Sequence, residues 1–158
     1  MTVAVGQRAP DFTLPSTTGA DVTLSALLGR RTVVLFFYPQ DDTPGCTVEA
    51  CTFRDLHDAF VAAGAEVIGV SSDSIASHQQ FARNHGLPMT LVSDVGGSVR
   101  ALYGVRATLG LLPGRATFVI DKAGIVRHVF VSQFRVRQHG RDALEVVKRL
   151  EAAGSATP

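Results

Sequence analysis

Thr32-Val33-Val34-Leu35-Phe36-Phe37-Tyr38 is an unbroken run of β-branched, aliphatic and aromatic residues. A strand with one wet face alternates apolar and polar positions. A run without alternation fits a strand buried on both faces of a sheet. Such a strand needs a covering layer on each side, which points to a central sheet with helices on both faces.

The flanking patterns fill in that architecture. Ala9–Pro15 and Asp21–Leu24 alternate on either side of the turn Thr17–Ala20, which predicts an N-terminal β-hairpin. Ser25 is placed to cap a short helical turn through Leu28, ended by Gly29. After the apolar run the spacing predicts a helix over Cys46–Ala63, with Val48, Cys51, Leu56, Ala59 and Phe60 as its apolar stripe and Gly64 as its stop. Glu66–Ser71 reads as a second buried strand. Ser72-Asp73-Ser74 offers caps for a helix over Ile75–Asn84, stopped by Gly86 and Pro88. Thr90–Ser93 is a third strand and Ser98–Tyr103 a short helix. Ala116–Ile120 and Ile125–Phe130 flank Asp121-Lys122-Ala123-Gly124 as a hairpin. Arg141–Ala152 closes the chain as an amphipathic helix with Ala143, Val146, Val147 and Leu150 on one face, and Gly154–Pro158 is expected to fray. The order predicts an α/β fold: a central mixed β-sheet flanked by helices, with an N-terminal β-hairpin. With no repeat or linker, residues 1–158 are expected to form a single domain.

Composition removes several function classes. Hydrophobic residues at 46% and charged residues at 18% suit a packed core, not a disordered chain. A net charge of +1, with no basic run longer than Arg30-Arg31, recommends neither nucleic acid nor an anionic membrane. The longest apolar runs are strand-length, so no membrane span is expected. Met1–Gly6 has no charged segment followed by an apolar core, so no export signal is read and a cytoplasmic location is expected. The two cysteines, Cys46 and Cys51, are too few for a structural framework and read as free, catalytic or metal-binding thiols.

The chemistry concentrates in Tyr38-Pro39-Gln40-Asp41-Asp42-Thr43-Pro44-Gly45-Cys46. A buried strand delivers the chain to a loop, and the loop delivers Cys46 to the first turn of a helix. Helix N-termini carry partial positive charge and unpaired N–H groups, and both favour thiolate over thiol. Thr43, three residues earlier, offers a hydroxyl to a thiolate or a substrate oxygen. Taken singly, a cysteine is more often a small buried hydrophobe, Thr43 a helix cap, and Arg115 a solvated side chain before a strand.

Pro39 to Cys46 resembles the Pro-x-x-x-Thr-x-x-Cys signature of the peroxiredoxins. Thr43 to Cys51 is similar to the Thr-Pro-Gly-Cys-Thr-x-Glu-Ala-Cys stretch of their PrxQ, or bacterioferritin comigratory protein, branch. Further matches are Ala9-Pro10-Asp11-Phe12, Phe53-Arg54-Asp55, Val70-Ser71-Ser72-Asp73, Ser93-Asp94, Tyr103-Gly104-Val105 and Leu112 to Lys122. The resemblance implies a thioredoxin-like fold and reduction of hydrogen peroxide or organic hydroperoxides. It implies that Cys46 is the peroxidatic cysteine, Thr43 the active-site threonine, Arg115 the arginine completing the site and Cys51 the resolving cysteine, with Glu49 in support. It further implies recycling by thioredoxin or a similar dithiol, with no metal, flavin, haem or nicotinamide cofactor needed. PrxQ-like proteins are often monomeric, and a monomer is expected here.

Three rivals stand beside this reading. Cys46, Cys51, His57 and His78 could ligate a metal, but no tight ligand pair is present, and all five histidines read as solvated. A general disulfide oxidoreductase would use Cys-x-x-Cys, whereas four residues separate these cysteines. A non-catalytic binding module on the same fold would require unreactive thiols. Arg54, in the cysteine helix, reads as a partner of Asp55 or Asp58 in a surface salt bridge.

Overall fold

The computed structural model describes residues 2–105 and 114–155. In chain order the elements are β1 (Thr13–Pro15), β2 (Asp21–Thr23), α1 (Leu24–Leu27), β3 (Thr32–Phe37), α2 (Pro44–Asp55), α3 (His57–Ala62), β4 (Ala65–Ser71), α4 (Ile75–His85), β5 (Thr90–Ser93), α5 (Ser98–Leu102), β6 (Ala116–Ile120), β7 (Val126–Val131) and α6 (Val136–Ser155). A five-stranded sheet runs in the order β5-β4-β3-β6-β7. The first two neighbour pairs are parallel, and β6 lies antiparallel to both β3 and β7. The sheet is therefore mixed, as expected, and β1 and β2 form the separate N-terminal hairpin.

Every residue of β3 is buried. Successive side chains point to opposite faces, so the run divides between two cores. Val34, Phe36 and Tyr38 meet Phe53, Phe60, Phe81, Ala143 and Val147 on the face covered by α2, α3, α4 and α6. Val33, Leu35 and Phe37 meet Phe12, Leu24, Val99, Tyr103 and Phe118 on the face covered by the hairpin, α1 and α5.

Several boundaries depart from the sequence reading. The single helix over Cys46–Ala63 is two, α2 and α3, because Leu56 leaves helical geometry (φ −95°, ψ 0°) and shares its N–H between the carbonyls of Thr52 and Arg54. No Gly or Pro marks that break. The buried face of α2 is Cys46, Glu49, Ala50 and Phe53, not the stripe through Val48 and Cys51. The stacking of Phe53 on Phe36, centroids 4.3 Å apart and planes 13° apart, fixes the phase. Ser25 is not a cap: α1 starts one residue earlier, and the Ser25 N–H donates to Asp11 Oδ1 at 2.9 Å.

The last helix begins at Val136 instead of Arg141 and continues through Ser155, past the expected start of fraying; residues 156–158 lie outside the described residues. Gly140, which argues locally against a helix, lies where α6 crosses α2: a Cβ there would sit 3.2 Å from Thr52 Cγ2. Close packing holds a helix that propensity alone would end. Nor are all the histidines solvated, since His78 and His139 have no exposed surface. Arg54 does pair with Asp55, Nε to Oδ1 at 3.0 Å.

Candidate active site

The pairing of β3 with β6 builds the site. Their antiparallel register sets Phe37 opposite Ala116, so Arg115 enters beside the end of β3, where the chain leaves for the loop to α2. Residues 69 positions apart thus converge: Arg115 Nη2 lies 3.5 Å from Cys46 Sγ. Pro44 stands at N1 of α2, where its missing N–H costs nothing. Gly45 follows because Arg115 passes over it; a Cβ there would lie 3.1 Å from Arg115 Nη2. Cys46 is 1% exposed.

Glu49, one turn along the buried face of α2, accepts from Arg115 Nη1 at 2.5 Å through Oε1. The Arg115 Nε–H donates to the Gln133 carbonyl at 3.2 Å. Both anchors hold the guanidinium plane against the thiol. Burial opposes the charge on Arg115, but Glu49 and Cys46 outweigh it and raise its pKa. Burial pushes the Glu49 carboxyl up to about 8 against the pull of Arg115.

Beneath Glu49, His139 Nδ1 lies 3.5 Å from Oε2, an oxygen with no hydrogen-bond partner. The His139 Nε2–H donates to the Ser132 carbonyl at 2.7 Å, and Nδ1 meets the Thr117 hydroxyl at 2.7 Å. Burial pushes the His139 pKa down to about 4, so the ring is neutral at pH 7 and accepts the Thr117 hydroxyl hydrogen.

Thr43 is the N-cap residue of α2, but its hydroxyl donates to the Gln40 carbonyl at 2.9 Å instead of capping the helix. Cys51 is a half-buried free thiol in the third turn, outside the buried face that carries Cys46. The structure thus brings Cys46 and Arg115 together, sets Thr43 at the entrance, and leaves Cys51 apart.

One participant carried no sequence signal. Arg100 in α5 is 9% exposed, and its guanidinium donates to the carbonyls of Gly114, 2.5 Å, and Tyr38, 2.7 Å. It ties the approach to Arg115 to the end of β3. A single arginine in a short helix has no local pattern that separates this from a solvated role.

Comparison with known proteins agrees with this geometry. The AhpC/TSA family model matches residues 5–129. The chain is 48% identical over 149 residues to chloroplastic peroxiredoxin Q of Oryza sativa subsp. japonica, covering 94% of this chain and 68% of that one. It is similar to the crystal structure of peroxidoxin BcpB from Mycobacterium tuberculosis, with TM-score 0.85, 42% identity, and 92% and 97% of the two chains covered. Xanthomonas campestris peroxiredoxin Q superposes with TM-score 0.82 at 32% identity, covering 89% and 91%. These neighbours identify the fold as thioredoxin-like. The expected cytoplasmic location is overturned: the plant relatives carry chloroplastic names, which point to a plastid. Core patterning and site chemistry do not encode the compartment, so the reading of Met1–Gly6 was no measure of it. In the family-matching stretch Leu112 to Lys122, Leu112 and Pro113 lie outside the described residues.

Proposed function

Since the chain belongs to the AhpC/TSA family and is a peroxiredoxin, a thiol peroxidase, we propose that Cys46 is its peroxidatic sulfur and Cys51 its resolving thiol. The observation that carries this reading is the buried Arg115 guanidinium 3.5 Å from Cys46 Sγ at the N-terminus of α2. A permanent cation with several donors stabilises a thiolate and then the oxygens of a peroxide as charge moves between them.

Cys46 Sγ, as thiolate, attacks one peroxide oxygen and the O–O bond breaks. One oxygen stays on sulfur as a sulfenic acid; the other takes a proton and leaves as water or alcohol. The Arg115 N–H groups donate to both oxygens. The first-turn N–H groups of Gly45 and Cys46 have no acceptor within the helix, whereas that of Thr47 is taken by the Thr43 carbonyl at 2.8 Å. The Thr43 hydroxyl, whose hydrogen is given to Gln40, offers its lone pairs to the peroxide hydrogen.

Cys51 then attacks the sulfenic sulfur, releases water and forms the disulfide, which thioredoxin or a similar dithiol reduces through a mixed disulfide. Residues five apart on an intact helix have Cα atoms roughly 8.7 Å apart, beyond the ~7 Å limit for a disulfide. α2 therefore has to unwind in each cycle. In this reading the chain acts as a monomer. Peroxide-dependent consumption of reduced thioredoxin is the test; no consumption above the reductant alone would refute the recycling step.

A further inference from the structure

The loop that carries Thr43 is held by α4 rather than by α2. We propose that His78 is a positioning residue for peroxide reduction, a buried ring that fixes Asp41 and, through it, Thr43 and the first turn of α2. The proposal rests on the reading of Cys46 as the peroxidatic sulfur.

His78 has no exposed surface, and both its ring nitrogens face acceptors. Nε2 lies 2.9 Å from the Val92 carbonyl, which accepts only, so Nε2 carries a hydrogen. Nδ1 lies 2.8 Å from Asp41 Oδ2. That carboxylate also accepts the Tyr38 hydroxyl at Oδ1, 2.6 Å, and the Ser77 hydroxyl at Oδ2, 2.8 Å. Two hydroxyls and the ring thus converge on one carboxyl group and fix its place in the loop. The Tyr38 hydroxyl also lies 3.3 Å from Nδ1, so the four side chains form one network.

The other charged and titratable groups around the pair come from three elements. Asp73, after β4, accepts the Asp41 backbone N–H at 2.8 Å and the Ser71 hydroxyl at 2.7 Å. Burial and Asp41 hold the Tyr38 phenol protonated well above its ordinary range, so it stays a donor. Arg100, from α5, reaches the Tyr38 carbonyl. Asp41, Asp73 and His78 gather as metal ligands can, yet their facing atoms already bond one another or the hydroxyls around them.

A second tie follows immediately. Asp42 has φ +57°, an unfavourable backbone for a residue with a side chain. Its carboxylate is held by His85 Nε2 at 2.8 Å and Asn84 Nδ2 at 3.2 Å, both at the end of α4. Two successive residues before Thr43 are thus fastened to α4, a different helix from the one that carries both cysteines. The loop can keep its shape while α2 opens and recloses.

Two measurements test this. Hydrogen exchange of the Asp41, Asp42 and Thr43 amides in the reduced protein is expected to rise at least about tenfold in His78→Gln while β3 is unchanged; unchanged exchange in the loop overturns the positioning role. Rapid-quench oxidation of Cys46 by hydrogen peroxide is expected to slow at least about tenfold in His78→Gln, while alkylation of Cys46 by iodoacetamide stays within about threefold of wild type. The selective loss is what a misplaced peroxide site gives and general loosening does not. An unchanged peroxide rate, or equal slowing with both reagents, overturns the proposal. Asp41→Asn is expected to show the same selective loss, and the double variant no more than the worse single one, as for residues acting as one unit. If His78→Gln does not fold, a wild-type peroxide rate in Asp41→Asn overturns it. Failure of wild-type Cys46 to react with peroxide would instead refute the peroxidatic reading, and exchange of the loop amides would still decide whether His78 holds Asp41.

Discussion

Arg115 Nη1 donates to Glu49 Oε1 at 2.5 Å in a pair whose guanidinium is 4% exposed and whose carboxyl is fully buried. The pair leaves Arg115 Nη2 turned to Cys46 and Glu49 Oε2 without a hydrogen-bond partner. Removing one member of such a pair exposes the other to an uncompensated burial.

This pair should set the pH dependence of stability. Glu49 is raised from 4.5 to about 8 on folding, so between those values the native state holds more protons than the unfolded chain. Stability from this group is full below pH 4.5 and is lost as pH rises towards 8. His139, lowered from 6.5 to about 4, acts with the opposite sign: its contribution is full above pH 6.5 and is lost as pH falls towards 4. The two slopes oppose each other up to pH 6.5, and only Glu49 acts above it. Urea unfolding from pH 5 to 8 is expected to show the wild type losing stability above 6.5. Glu49→Gln should be flat there and should rise from pH 5 to 6.5. A wild-type curve parallel to that of Glu49→Gln contradicts the shifted carboxyl.

The two cysteines should separate cleanly, since only Cys46 sits beside Arg115 at a helix start. Cys46→Ser is expected to abolish peroxide consumption. Cys51→Ser should be oxidised once and then stall unless an added thiol reduces the sulfenic acid. Mass spectrometry of dimedone-treated protein reads both outcomes. Sustained turnover by Cys46→Ser is incompatible with the mechanism.

Arg115→Lys keeps a charge and loses the fork that reaches Glu49, Gln133 and Cys46 together. Thr43→Val keeps the shape of the N-cap and loses the hydroxyl. Each should slow Cys46 oxidation about tenfold or more, the ~1.4 kcal/mol or more of one lost transition-state hydrogen bond. Stopped-flow rates on variants with wild-type melting behaviour make the comparison; a wild-type rate removes that residue from the site.

Unwinding of α2 on oxidation should stop at Phe53. Its ring stacks between Phe36 and Phe60, at 4.3 and 5.8 Å, and a buried phenylalanine is worth roughly 1.5–3 kcal/mol. Cys51 is outside the buried face, so the opening segment draws mainly Cys46 and Ala50 from the core. Hydrogen exchange of the oxidised protein is expected to rise from Gly45 to Thr52 and remain slow in β3. An intramolecular disulfide with undiminished protection in α2 would rule out Cys51 as the partner.

The amino-acid order alone determined the elements whose causes are local. β3 was legible because its apolar run has no polar face, α4 because Ser74 caps it and Gly86 closes it with φ +59°, and the β6–β7 hairpin because a turn divides two strand patterns. Cys46 was legible for the same reason: strand, loop and helix start are contiguous in the chain. Arg115 was legible only by resemblance, since nothing near it says that antiparallel pairing of β3 and β6 will bring it to Cys46. Tertiary structure decided what depends on distant neighbours. Packing against Phe36 set the phase of α2, which buried Glu49 and left Cys51 half-exposed. Contact with α2 sustained α6 through Gly140, and the loop before Thr43 drew His78 into a buried hydrogen bond with Asp41. Patterns of hydrophobicity and capping act within a few turns of chain, whereas the partner of a buried charge is chosen by whichever group the fold brings within hydrogen-bond reach.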